Sequence, residues 1–152
     1  IEKKKEAVEE VVAEAVALVR SHFSGIRLSA HVPTDLLLVP MDGTLIEQVL
    51  INLIENAAKY AGTSPDIELL VTTDAEMAIF SVIDNGVGIP EEDIPHLFDG
   101  PVTGNRKTGD SSRGLGIGLL ICAAIVRAHG GTISVRNRSE GGAEFRFVLP
   151  RE

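Results

Sequence analysis

Three stretches of this sequence carry residues whose types and spacing could do chemistry. Residues 52–60 place asparagines and a lysine among apolar residues, residues 84–88 put a carboxylate into a glycine turn, and residues 114–118 alternate glycine with leucine and isoleucine. In that order they offer an oxygen ligand for a metal ion, a hydrogen-bond acceptor for a base, and backbone N–H groups for an anion. The ordered set favours a nucleotide site, although each stretch alone would be weak evidence.

The polar residues around the first stretch fall on one side of a predicted helix. One interpretation is an ordinary solvated face. The asparagines favour another, because asparagine forms helices poorly and its side-chain oxygen suits Mg²⁺ beside phosphate oxygens. A lysine one turn further along could reach a phosphate as a point charge. At about 100° per residue, the residues that share roughly a third of the circumference are Gln48, Asn52, Glu55, Asn56 and Lys59.

Asp84 ends a predicted strand and is followed by the glycines Gly86 and Gly88. Glycine permits positive φ and lets a flat ligand approach the backbone closely. An ionised carboxylate only accepts hydrogen bonds, so it pairs with the exocyclic amine of adenine and opposes the carbonyl of guanine. The alternative is a plain turn that Asp84 caps, since aspartate, asparagine and glycine are common turn residues.

The third stretch, residues 114–119, leads into a predicted helix. Free N–H groups and the positive end of the helix dipole make such an entry a phosphate site. A dinucleotide-binding fold would need a strand directly before the glycines, and a Walker A loop would need Gly-Lys-Ser/Thr; neither pattern is present. A flexible loop with a glycine-softened helix start is the alternative interpretation.

Length and charge restrict the possible functions. With 152 residues, the chain is long enough for one domain with a hydrophobic core. Its net charge of −8 and isoelectric point near 5.0 argue against nonspecific binding to nucleic acid or to an anionic membrane. An acidic protein that holds a polyphosphate would need a cation such as Mg²⁺ to neutralise it.

The remaining reactive side chains predict no second chemistry. Cys122 is the single cysteine and lies in an apolar run, so we expect a buried small hydrophobic residue rather than a reactive thiol. The histidines show neither metal-ligand spacing nor a nucleophilic triad. No leader sequence and no apolar stretch of about 20 residues is present. We therefore expect a soluble, cytoplasmic fragment of a longer protein, excised without its initiator methionine.

The motifs must be positioned by alternating helices and strand pairs. Strand pairs with short turns predict an α+β fold, a two-layer α/β sandwich with a mixed, mostly antiparallel sheet and helices on one face. We expect an N-terminal helix or linker over 1–22 and one domain over 23–152, with a lid at about 90–113. The predicted helices are 6–22, 42–61 and 115–129; the predicted strands are 26–32, 36–39, 67–73, 77–83, 132–137 and 143–149, with a turn at 33–35 between the first two.

The three stretches, in this order, resemble the ATP-binding catalytic domain of bacterial sensor histidine kinases, part of the gyrase/Hsp90/MutL-type ATPase group. Residues 52–60 match the asparagine box, and residues 84–88 and 114–119 match two glycine boxes. Residues 46–62 and 137–143 look most like potassium-responsive Kdp-type sensor kinases. The resemblance implies a Bergerat-type ATP-binding fold that continues from an absent dimerisation domain.

The resemblance also implies a role for each motif residue. Asn56 would coordinate Mg²⁺, Asp84 would bind the adenine amine, Lys59 would contact phosphate, and Tyr60 would line the adenine or ribose. Asn52 stands where related ATPases place a glutamate base; asparagine cannot take a proton, which suits phosphoryl transfer rather than hydrolysis. The other nucleotide-binding residues implied are Gly86, Gly88, Ile89, Arg113, Gly114, Leu115, Gly116, Gly118 and Leu119.

The sequence departs from the family pattern in the lid and near its end. Pro101 and Thr103 stand where the family carries a second phenylalanine and an arginine, so either Arg106 or Arg113 substitutes or the lid is impaired. Ala143 stands where many relatives have a hydroxyl residue near adenine.

No phospho-acceptor box is present, so we expect a monomeric fragment that binds ATP but cannot phosphorylate itself. The implied partners are its own dimerisation domain and a cognate response regulator, with a membrane reached only through parent segments. Two alternatives are a stand-alone ATPase of the same fold and a nucleotide-binding sensor without catalysis.

Overall fold

The protein folds into a five-stranded sheet covered by helices. The computed structural model describes residues 1–99 and 110–152. Within this part, side chains are described everywhere except at residues 110–117. A short 3-10 helix spans Glu91–His96. The helices are α1 (Val8–His22), α2 (Gly43–Tyr60) and α3 (Asp110–Ala128), and the strands are β1 (Lys4–Ala7), β2 (Arg27–His31), β3 (Leu38–Met41), β4 (Asp66–Thr73), β5 (Met77–Asp84), β6 (Thr132–Asn137) and β7 (Ala143–Pro150).

The large sheet has the strand order β2-β4-β5-β7-β6. Only β2 and β4 run parallel; the other neighbours are antiparallel. On its covered face, Phe80 and Phe147 stack with ring centroids 4.6 Å apart, and α2 lies against β5 between α1 and α3. The predicted α+β two-layer sandwich is confirmed.

The predicted pairing of strands 26–32 and 36–39, which correspond to β2 and β3, is wrong. β3 pairs antiparallel with β1 in a separate two-stranded sheet, and β2 pairs with β4. Alternation of apolar residues indicates that a strand exists but not which strand it pairs with. The strand β1 escaped prediction because Lys4–Ala7 is nearly all charged and carries no alternation, so α1 was expected two residues too early, at residue 6.

Helix α2 begins directly after its capping residue Asp42, within one residue of the predicted start at 42. The side chain of Asp42 accepts a hydrogen bond from the N–H of Leu45 at 3.3 Å, which satisfies one free donor of the first turn. The same residue contacts the far end of α3, since its own N–H donates to Nε2 of the buried His129 at 2.9 Å. Nδ1 of that imidazole then carries the proton and donates to the carbonyl of Ile125 at 2.8 Å. This bridge fixes α3 against the start of α2.

Helix α3 begins at Asp110, about five residues before the predicted start. The glycines of residues 114–118 obscured this, because glycine disfavours helix interiors, whereas aspartate and serine before them are typical of a helix start. The glycine stretch therefore lies within α3, and the predicted lid at about 90–113 stays a prediction. Among the described residues, no helix has the length and apolarity needed to cross a membrane.

Candidate functional site

Asp84 is a buried carboxylate with one oxygen committed and one unpartnered. Only 1% of the residue is exposed, and its Oδ1 accepts hydrogen bonds from the N–H groups of Gly86 (2.8 Å) and Ala143 (3.2 Å). Oδ2 is buried without a hydrogen-bond partner among the described residues. Burial raises the pKa of Asp84 above its ordinary value, against the opposing effect of these N–H groups and of Arg138. A donor supplied from outside the chain would relieve this cost.

The turn after Asp84 packs against the end of α2. A Cβ at Gly86 would collide with the carbonyl oxygen of Tyr60 and would lie 2.6 Å from the Cα of Ala61. Only glycine allows this approach, so the predicted need for glycine at position 86 has a definite cause. The contact brings Asp84 and the C-terminal turn of α2 to one place.

A second turn, between β6 and β7, closes on Asp84 from the other side. Gly142 has φ of +80°, and a Cβ there would collide with the carbonyl oxygen of Asp84. This turn delivers the Ala143 N–H to the carboxylate. Sequence reasoning missed this contribution, although the pair Gly141-Gly142 was a signal that backbone approaches closely there.

The polar residues that share one side of α2 differ in their exposure to solvent. Lys59 and Gln48 are exposed and Asn52 is half-buried, but only 5% of Asn56 is exposed. Nδ2 of Asn56 is buried and has no hydrogen-bond partner among the described residues. A solvated face does not explain a buried, unsatisfied amide, so that alternative fails at Asn56.

Asn52 lies at the contact between α2 and α3. A Cβ at Gly118 would lie 3.9 Å from Cγ of Asn52, an ordinary packing distance. One turn along α3, the buried Cys122 donates to the carbonyl of Val49 at 3.9 Å. Burial raises the pKa of Cys122 to about 12, with the neighbouring Asn52 side chain acting in the opposite direction. The predicted burial of Cys122 is confirmed, and its lack of reactivity stays a prediction.

The structure therefore joins the predicted site residues through α2, whose Asn52 faces α3 and whose Tyr60 carbonyl meets the turn after Asp84. Ile89 and Leu119, also predicted, are buried with 3% and 1% exposure. Some predicted positions fall outside the description: Pro101, Thr103 and Arg106 entirely, and Arg113 and Leu115 in their side chains, while Gly114 and Gly116 lie in α3. The predicted roles of all these residues stay predictions.

No group of three or more histidine, cysteine, aspartate or glutamate side chains that could hold a metal ion occurs in the described part of the chain. Asn56 is the candidate metal ligand among the predicted residues, because an amide oxygen is a hard ligand.

Comparison with known proteins gives consistent matches over the chain. Residues 41–152 match the family described as histidine kinase-, DNA gyrase B-, and HSP90-like ATPase. The chain is 45% identical over 152 residues to the sensor protein KdpD of Clostridium acetobutylicum, covering 100% of this chain but 17% of that protein. It thus spans about a sixth of the length of this curated relative.

Solved structures match the fold over nearly the whole chain. The catalytic domain of histidine kinase ThkA superposes with a TM-score of 0.84 at 30% identity, covering 99% of this chain and 97% of that domain. A second structure holds ThkA in complex with the response regulator protein TrrA, with a TM-score of 0.80 at 28% identity over 99% of this chain and 42% of that one. Full-length ShkA in complex with AMPPNP matches with a TM-score of 0.81 at 25% identity, over 99% of this chain and 31% of ShkA.

Proposed function

Because the chain belongs to the histidine kinase-, DNA gyrase B- and HSP90-like ATPase family, we propose that it binds Mg²⁺-ATP and donates the γ-phosphoryl group to a histidine on a dimerisation domain. The observation that carries the proposal is the pair of unpartnered buried atoms, Oδ2 of Asp84 and Nδ2 of Asn56. Both lie on elements that meet at the turn after β5. Unsatisfied buried polar atoms are rare in folded proteins and point to a ligand.

Asp84 would select adenine. Its Oδ1 is held by two backbone N–H groups, which orient the carboxylate and leave Oδ2 to accept from an amine. A guanine carbonyl at the same place would face an acceptor and leave both groups unpaired, at a cost of about 1–3 kcal/mol. Adenine is therefore preferred roughly 5- to 150-fold. Tyr60, Gly86, Gly88 and Ile89 would line the base and ribose.

The opposite side of the pocket would hold the phosphates. The amide oxygen of Asn56 fits Mg²⁺, and the exposed Lys59 one turn on could reach a phosphate as a point charge. Bound Mg²⁺ would supply neutralisation of the phosphate charge, which this acidic chain otherwise lacks. Because α3 begins at Asp110, the N–H groups that lack a partner within the helix are those of its first turn, and these, with Arg113, would bind the phosphates. The glycine stretch at residues 114–119 follows directly and would let the phosphates lie close to the helix.

Phosphoryl transfer rather than hydrolysis follows from Asn52. Its amide has no basic atom to activate water, and it lies at the contact with α3, beside Gly118. Phosphoryl transfer needs positioning and charge neutralisation more than covalent help from the protein. The histidine that accepts the phosphoryl group from ATP would belong to a dimerisation domain. A response regulator would then accept the phosphoryl group from this histidine, as the ThkA complex with TrrA supports. The similarity to KdpD supports a potassium-responsive, cytoplasmic kinase.

Calorimetric titration of the chain with ATP and Mg²⁺ tests the binding step. We expect saturable one-to-one binding of ATP, weaker binding of GTP, and loss of binding in Asp84→Asn, whose amide offers a donor to the adenine amine. Asp74→Asn, at the opposite end of β5, is the matched control and should bind as the unmodified chain does. Undiminished ATP affinity in Asp84→Asn would show that Asp84 does not bind adenine.

Phosphoryl transfer is tested by adding a dimerisation domain that carries an acceptor histidine, with ATP labelled at the γ position. Labelled phosphohistidine is the expected product. Steady release of phosphate from the chain alone would instead favour a stand-alone ATPase. Binding with neither product would favour a sensor without catalysis.

A further inference from the structure

Asn137, the last residue of β6, makes three hydrogen bonds to the segment that follows Asp84. Its Oδ1 accepts from the N–H of Ile89 at 2.7 Å, and its Nδ2 donates to the carbonyl of Ile89 at 2.8 Å and to Oε2 of Glu91 at 2.9 Å. One side chain thus satisfies both backbone groups of a buried residue, as a neighbouring strand would do. Gly88 makes room for it, since a Cβ there would lie 2.6 Å from Oδ1 of Asn137.

The same end of the β6–β7 hairpin holds both ends of this segment. Asn137 is the register partner of Ala143, whose N–H donates to Oδ1 of Asp84. Asp84 is therefore held by one residue of this pair and Ile89 by the other. The positions between them, 85–88, cannot shift relative to β7 without breaking bonds at one of the two ends.

We infer that Asn137 is a positioning residue for adenine binding, acting through Ile89 and Gly88 on the turn that carries the adenine-reading carboxylate. The inference rests on the proposed function, because it concerns the base-binding side of that site. A purely structural role would affect stability alone. A positioning role would change affinity for the base while the chain stays folded, and by the same factor for ligands with and without phosphates.

The first test measures binding of adenosine and of Mg²⁺-ATP to Asn137→Ala, below its melting temperature. We expect affinity for both ligands to fall about tenfold, since the freed turn must be ordered on binding. The control is Asp74→Ala, at the opposite end of the β4–β5 hairpin. It removes two hydrogen bonds, which Oδ1 of Asp74 accepts from the N–H groups of Glu76 at 2.9 Å and Met77 at 2.8 Å. It should lower the melting temperature without changing either affinity.

The second test uses a compensating pair that keeps the size of both side chains. Asn137→Asp replaces the donor to Glu91 with a carboxylate oxygen and should weaken adenosine binding about tenfold through repulsion. Glu91→Gln alone keeps an acceptor for Asn137 and should change little. In the double variant, the amide of Glu91→Gln donates a hydrogen bond to the carboxylate of Asn137→Asp. This variant should recover part of the lost affinity for adenosine.

Unchanged affinity in Asn137→Ala would overturn the inference, as would a failure of Glu91→Gln to restore any affinity to Asn137→Asp. Should Asn137→Ala not fold, the compensating pair decides the question alone. These results are distinct from failure of the proposed function, which would appear as an unmodified chain that binds neither adenosine nor Mg²⁺-ATP.

Discussion

Asp84 accepts a hydrogen bond from the backbone N–H of Ala143 at 3.2 Å, across 59 residues of sequence. The bond joins the end of β5 to the start of β7, so it ties the proposed adenine-binding carboxylate to the sheet rather than to its own turn alone. It depends on Gly142, where any side chain would collide with the Asp84 carbonyl. Orientation of the carboxylate is thus a property of the β6–β7 turn.

Alanine substitutions at the two adjacent glycines of that turn should lower the stability of the fold by very different amounts. Both have positive φ, +106° at Gly141 and +80° at Gly142, so alanine is strained at either position. Gly141 faces open space, and Gly141→Ala should cost about 1 kcal/mol of unfolding free energy. Gly142→Ala adds the collision with Asp84 and should lower the free energy of unfolding by roughly 2–3 kcal/mol more. It should also weaken nucleotide binding. Urea unfolding of both variants checks this; equal losses would show that the collision is relieved elsewhere.

Asp84→Asn should gain stability while it loses nucleotide binding. Burial raises the pKa of Asp84, so the stability linked to this group is fully present below the unfolded pKa, about 3.9, and is lost as pH rises through the folded pKa. At neutral pH the ionised carboxylate therefore destabilises the fold, and asparagine removes that charge. Urea unfolding at several pH values should show an advantage of the variant that grows from about pH 4 upward. An advantage independent of pH would contradict the effect of ionisation.

Adenosine binding should weaken as the solution is acidified. The loss should begin at a higher pH than it would for an aspartate with an ordinary pKa. The adenine amine needs an ionised acceptor, and the raised pKa of Asp84 moves its protonation above about 3.9. Adenosine is the suitable ligand because it lacks phosphates, which titrate near pH 6. Fluorescence or calorimetric titrations across pH measure the midpoint. Affinity that stays constant down to about pH 4 would mean that the carboxylate does not meet the base.

Cys122 should resist alkylation in the folded chain. Its pKa is raised to about 12 from an ordinary 9.0, which lowers the thiolate population roughly a thousandfold, and the side chain is fully buried. Iodoacetamide at about pH 8 should modify it only in denaturant, as followed by mass spectrometry. Rapid modification of the native chain would indicate that the contact between α2 and α3 opens, and it should then also disturb Asn52.

Much of the architecture was predictable because it is local. The burial of Val8, Val11, Val12, Ala15 and Val19 follows from their helical spacing, and Asp42 caps α2 as its residue type predicts. Pairing was not local: β3 joins the charged strand β1 rather than β2, because a strand's partner depends on the whole sheet. The start of α3 was missed since glycines weaken the helical signal.

The sequence by itself determined which chemical groups the site can use: one carboxylate before a glycine turn, two asparagines on α2, and the glycine stretch at residues 114–118. Only the tertiary structure decided which of them are buried and unpartnered, and that Ala143 and Asn137 hold the turn at its two ends. The physical reason is that hydrogen bonds to backbone groups far along the chain leave no pattern in the residues around them, and they exist only once the sheet has brought the strands together.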